Sequence, residues 1–192
     1  VFSLMDDDPV IASLAREREG EAPPQARQAS DASIRQLEIA ILGRVSISDG
    51  GIPTAAESLP AGKVLELLLF LLLHRGATKD EVGVALWPDA SAAQVRNVFH
   101  VTLHHLRRAL GSTPWITFDR NVYRVERSPE PGRTLAVDFD AVLEASARLC
   151  AFARARAAPT SEELANAALA LDLHRGPIAR GAVKGDWILA HD

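Results

Sequence analysis

The sequence predicts a mainly α-helical chain with small antiparallel sheets, built as a winged helix-turn-helix followed by an all-α helical-repeat segment. Three observations predict it. Between Lys63 and Gly111, three apolar-periodic segments are separated by two tight breaks, His74-Arg75-Gly76 and Trp87-Pro88-Asp89. Directly after them, Trp115–Phe118 and Val122–Val125 alternate apolar and polar residues around Asp119-Arg120-Asn121, the pattern of a β-hairpin. From Val137 onward, two alanine-rich stretches separated by Pro159-Thr160 read as an antiparallel helical pair.

Residues 1–33 read as an acidic flexible linker, with three arginines against six acids in residues 1–30. Asp6-Asp7-Asp8-Pro9 suits the start of a short helix, Val10 to Glu19, because acids complement the helix dipole there. Gly20-Glu21-Ala22-Pro23-Pro24-Gln25 breaks it, and the polar stretch to Ser33 has no pattern. A second reading lays this acidic segment across a basic helix as an autoinhibitory arm.

Residues 34–127 read as the winged helix-turn-helix. Ile34, Leu37, Ile39, Ile41, Val45 and Ile47 alternate, and Gly43 and Asp49-Gly50-Gly51 mark turns, so a small antiparallel sheet of two or three strands opens the unit. Pro53 and Pro60 keep the next segment irregular. The first helix spans about 61–75 and stops at His74-Arg75-Gly76. Thr78 with Glu81 three residues on forms a capping box for the second helix, which ends at Trp87-Pro88. Ser91 caps the third helix, about 92–111, which stops at Gly111. Trp87 is expected to pack this turn onto the first helix rather than to stack on a base.

The third helix has two unlike faces. At 100° per residue, Phe99, Leu103, Leu106 and Leu110 form a buried stripe. Gln94, Asn97, Val101, His104, His105 and Arg108 lie opposite, flanked by Arg96, His100 and Arg107. No acid occurs from Ser91 to Trp115. The chain carries a net charge of −4, yet residues 91–127 hold six arginines against two acids, a net of +4. Local basic surface sets an anionic partner, and the third helix of such a unit reads the major groove of DNA. Asn97, His100, His104 and Arg108 are the candidates for base edges. Arg96, Arg107, Arg120 at the hairpin tip, and Arg124 are the candidates for phosphates.

Residues 128–136 read as a linker, from Ser128-Pro129-Glu130-Pro131-Gly132-Arg133. Helices are expected from Val137 to about Ala157 and from Ser161 to Leu173. Asp138 and Asp140 precede the first of these, so N-capping is expected of them rather than a catalytic carboxylate pair. The single cysteine, Cys150, excludes an internal disulfide and reads as a buried thiol. His100 and His104 have the i, i+4 spacing of two metal ligands, but their helix supplies no third, so no metal and no cofactor is expected. No nucleophile motif and no glycine-rich phosphate loop occurs, so the chain does not read as an enzyme. The longest apolar run, Val64–Leu73, holds Glu66 and is about half the ~20 residues that span a bilayer. A start at Val1 without a signal peptide reads as an internal fragment of a longer cytoplasmic polypeptide with further domains, and leaves room for an upstream anchor.

Together these residues resemble a known family. Residues 36–126 resemble the OmpR/PhoB-type winged helix. Leu42-Gly43, Lys63-Val64-Leu65 through His74-Arg75-Gly76, Leu86-Trp87-Pro88-Asp89, Leu106 to Gly111 and Tyr123 carry the likeness. Val137-Asp138-Phe139 and Leu173-His174-Arg175-Gly176-Pro177 with Asp186-Trp187 resemble the start of a bacterial transcriptional activator domain (BTAD), whose helical repeats are TPR-like. The pair of domains is that of the SARP-like transcriptional regulators, here truncated, with residues 137–192 as the start of the second domain. The resemblance implies a transcriptional activator that binds double-stranded DNA, contacts RNA polymerase through the repeats and can form a homodimer. The departures are His100, His104 and His105, where Arg, Ser or small polar residues are expected, and the roughly 35 residues ahead of the sheet. The alternative is a winged-helix module for protein–protein contact, its DNA binding weak or lost.

Overall fold

The computed structural model describes residues 35–54, 60–183 and 187–188. The acidic segment 1–33, with its short helix and inhibitory-arm alternatives, lies outside the described residues, as do Ile34 and Asp186. The first described strands are β1 (Arg35–Ala40), β2 (Ser46–Asp49) and β3 (Ile52–Pro53). Helices α1 (Lys63–Leu73), α2 (Lys79–Leu86) and α3 (Ala92–Ala109) follow. Then come the hairpin β4 (Ile116–Asp119) and β5 (Val122–Val125), strand β6 (Arg133–Val137), and helices α4 (Asp138–Ala155) and α5 (Ser161–Leu173). The fold is the expected one, a winged helix with small sheets and a helical pair, and the element ends differ by one or two residues from the sequence reading.

The described chain is organised around α1. Its residues Leu65 to Leu73 are all buried, so the helix is surrounded on every side. Such a helix is driven by burial rather than by amphipathicity. Glu66 is the one acid in this run, and Lys63 donates to it at 2.8 Å from the preceding turn. Ile39, Ile41, Leu67, Leu68, Val82, Phe99, Leu106, Trp115 and Tyr123 belong to the same continuous core.

One expectation is overturned between residues 128 and 136. The end of the expected linker is β6, which pairs parallel with β1 from Arg35↔Arg133 to Ile39↔Val137. The sheet order is β3-β2-β1-β6, so an antiparallel meander gains one parallel strand. Parallel neighbours need a long crossover connection. Here the crossover is the whole helix-turn-helix with its wing. Arg133 donates to both oxygens of Asp49 across the sheet, at 3.2 and 3.3 Å. Nothing in the polar composition of 128–136 announces this strand, because its partner lies almost a hundred residues earlier.

The aspartates at the head of α4 also differ from expectation. Val137 holds the N-cap position, without a side-chain capping bond. The Asp138 carboxylate instead accepts from the backbone amides of Ile41 (2.8 Å) and Leu42 (2.9 Å), and from that of Phe139 (2.8 Å). It ties off β1 where the strand leaves the sheet. Asp140 accepts from Arg127 at 2.6 Å and pairs with Arg75 at 3.6 Å.

After α5 the chain returns to the same place. Ala179 donates to Ile41, Gly43 to Pro177 and Arg180 to Gly43, at 2.7 to 3.0 Å. Gly43 has φ +97°, and a Cβ there would sit 2.9 Å from the Arg175 carbonyl oxygen. Only glycine satisfies both conditions. Trp187 packs edge-on to Phe70 of α1 at 5.2 Å, because this returning segment carries it over the core. Cys150, expected to be buried, is exposed. Helix α4 buries no residue completely, and α5 buries only Ala167 and Ala170. Leu164, Leu169 and Leu171 remain exposed, as one helical pair cannot close a repeat core.

Two substitutions test the closure around β1. Asp138→Ala should lower unfolding free energy by about 1–3 kcal/mol by stranding strand-end amides, and Asp138→Asn should cost less. Gly43→Ala should cost about 1–3 kcal/mol through positive φ and backbone contact. Urea denaturation measures both, and a wild-type midpoint in Asp138→Ala would show that those amides find water instead.

Candidate nucleic-acid interface

The turn between α1 and α2 starts with Arg75 at φ 54° and Gly76 at φ 127°. Thr78 then caps α2. Its hydroxyl accepts from the Glu81 amide at 3.2 Å, and the Glu81 carboxylate accepts from the Thr78 amide at 2.7 Å. The backbone amide of Thr78, helped by its hydroxyl, holds the Glu81 carboxyl below the usual carboxylate value. Ser91 and Gln94 repeat this reciprocal arrangement at the start of α3, with Ser91 accepting at 3.4 Å and Gln94 at 2.8 Å. Helices α2 and α3 touch at Gly83, where a Cβ would stand 2.6 Å from a Val95 methyl. The starts of both helices and their closest approach are thus set by local chemistry.

The wing is bonded to that turn. Ala77 donates to the Tyr123 carbonyl at 2.9 Å, and Tyr123 donates back to Ala77 at 2.8 Å. The hairpin loop is two residues rather than the expected three, with Arg120 and Asn121 at φ 47° and 67°. Two positive φ angles make the turn whose twist matches antiparallel strands. Tyr123 packs on Phe99 at 4.8 Å and on Phe118 at 4.5 Å, so the wing rests on the buried stripe of α3.

On α3, Val95, Phe99, Thr102, Leu103 and Leu106 are buried. Asn97, His100, His104, His105, Arg96, Arg107 and Arg108 are all exposed, as their angular positions predict. No ion pair among the described residues involves Arg96 or Arg108. Arg120 projects from the wing tip with its side chain 91% exposed, 3.7 Å from the Asp119 carboxylate. The remaining two arginines are partly engaged. Arg107 donates to the Ile116 carbonyl at 3.2 Å and braces the base of the wing against α3. Arg124 lies over the α1–α2 turn, its Cγ 2.7 Å from where a Gly76 Cβ would stand. The structure therefore places six of the eight candidates on α3, Arg120 in the wing loop, and Arg124 on β5 with its side chain over the turn. Arg75 and Arg127 share Asp140, a pairing that no local sequence pattern announces because the three residues stand far apart in the chain.

No group of three or more potential metal ligands occurs among the described residues. No described helix is long and apolar enough to cross a membrane.

The solved structure of Mycobacterium tuberculosis EmbR, in complex with a low-affinity phosphopeptide, superposes on 81% of this chain with a TM-score of 0.60 at 22% sequence identity. The two chains share a fold. The present chain spans 40% of the EmbR chain. No protein-family model and no curated protein matches it.

The capping box of α2 carries a pH signature. A carboxyl whose folded value is depressed contributes stability above the ordinary carboxylate range, and loses it as pH falls through the folded value. Glu81→Gln should therefore be less stable than wild type at neutral pH, and the gap should close in acid. Thermal melts across that range check this, and a gap of constant size would show that the charge of Glu81 contributes nothing.

Proposed function

We propose that this chain is a DNA-binding transcriptional regulator of the SARP-like kind. Helix α3 enters the major groove with Asn97, His100, His104 and Arg108 toward base edges. Arg96, Arg107, Arg120 and Arg124 approach phosphates on either side. The observation that carries this reading is an exposed, acid-free helix face, beside a wing, on the positively charged segment of a net-acidic chain. Residues 34–127 act as the DNA-binding domain and residues 137–192 as the start of the activator domain. The open leucines of α5 and the α4–α5 pair serve contacts with RNA polymerase or a second copy, in the cytoplasm. The fold shared with EmbR supports the architecture, and the sequence resemblance supports the activity.

The engagement of Arg107 with Ile116 favours one second reading, a winged helix used for protein contact, because it removes a cation from the open face. Salt dependence separates the two. Each phosphate contact contributes about 0.9 to the slope of log affinity against log salt. Replacing Arg96 and Arg120 together by alanine should weaken duplex binding at low salt about tenfold and flatten that slope by about 1–2. Asn97→Ala should instead relax preference at one or two base positions, with the slope unchanged. Fluorescence anisotropy with labelled duplexes across a salt series measures both. A folded double mutant with wild-type affinity and slope would leave the protein-contact reading standing.

A further inference from the structure

Two exposed valines of α3, Val98 and Val101, are explained by neither charge nor hydrogen bonding, and Val101 is the more open of the two. Val101 is 57% exposed, and none of the described elements covers it. It stands on the same line as the polar candidates. Asn97 is four residues before it, His104 three after and Arg108 seven after, so at 100° per residue all four fall within about 60° of one another. Val98 stands about 60° to one side, the rest of the face around it is polar or basic, and the buried stripe of Phe99, Leu103 and Leu106 lies on the other side of the helix.

In the free chain a valine at this position gains little burial. As a β-branched residue it also disfavours the helix relative to alanine. What it does provide is a stiff pair of methyl groups, held in one rotamer, at the centre of a face otherwise built for hydrogen bonds. The major-groove edge of DNA offers one apolar group, the C5-methyl of thymine. The other groups by which base pairs are told apart there are hydrogen-bond donors and acceptors.

We propose that Val101 reads the C5-methyl group of a thymine in the major groove, making α3 selective for thymine at one position of its site. The inference rests on the DNA-binding reading above and adds the base class that α3 prefers. The four residues from Asn97 to Val101 rise about 6 Å along the helix, close to two base-pair steps of ~3.4 Å. The thymine read by Val101 therefore lies within about two base pairs of the position read by Asn97.

Replacing thymine by deoxyuridine removes that methyl and nothing else. The probe is a duplex that the wild-type chain retains at low salt from a library with a randomised core, with its thymines replaced one at a time. Burial of one methyl corresponds to about fourfold in affinity. Wild type should lose about fourfold at one or two thymines. Val101→Ala should weaken binding to the unmodified duplex by a similar factor and bind both duplexes equally. That variant removes an exposed side chain and introduces a better helix former, so it folds, and circular dichroism confirms it. Wild-type affinity indifferent to every substitution would overturn the inference, while sequence-selective, salt-dependent binding kept the DNA reading. A full uridine penalty surviving in Val101→Ala would also overturn it, as would a sensitive thymine far from the Asn97 position. If no duplex were retained at low salt, both readings would fall together.

Discussion

The structure depends on the burial of α1 from all directions. A run of nine residues with a single acid, every one shielded from water, leaves no solvent face on which the helix could slide or rotate freely. The sheet lies against it, and α3, the wing and the segment returning after α5 complete the enclosure. Apolar area removed from water is the dominant favourable contribution to folding. Concentrating it in one central helix makes the surrounding elements interdependent. Glu66 within that shell retains its charge partner, Lys63, because an unpaired buried carboxylate would be costly.

Around this helix, the elements that form the candidate interface are connected by short-range chemistry. Two capping boxes begin α2 and α3, a tight glycine contact sets their spacing, and paired backbone bonds hold the wing to the turn. Tyr123 seats the wing on α3. Such a frame holds exposed side chains at stable positions, and preorganisation lowers the entropic cost of binding. Arg107 illustrates a trade-off within it. Its bond to Ile116 strengthens the junction of helix and wing, and withdraws part of its charge from the open face.

The helical pair is joined to the winged helix by more than a tether. Strand β6 enters the N-terminal sheet, Asp138 ties the end of β1, and Asp140 gathers Arg75 from the turn and Arg127 from beyond the wing. Two acids in the first turn of one helix thus reach the sheet on one side and the helix-turn-helix on the other. Movement of α4 relative to the sheet would disturb these contacts together. The helical pair itself is loosely packed at its outer side, where alanines and exposed leucines face outward.

Local structure was legible in the residues alone. Thr78 with Glu81, and Ser91 with a helix-forming run after it, mark helix starts because capping bonds span only three residues. The stripe of Phe99, Leu103 and Leu106 was readable from helical periodicity, and so was the exposed face opposite, with Asn97, His104 and Arg108. The hairpin was visible in its alternation, although the positive φ angles of Arg120 and Asn121 shortened its loop to two residues. What only the tertiary structure decided involves partners far apart in the chain. The strand at Arg133–Val137 exists because β1 offers an open edge, and Asp138 turns from a capping residue into a strand clamp because two amides of β1 stand within its reach. Cys150, expected to be buried, is exposed for the same reason, since burial depends on what the rest of the chain brings alongside. Helix signals lie within a few residues of each other, whereas the parallel strand, the aspartate clamp and the shared arginine pair join residues that only the folded winged helix brings together.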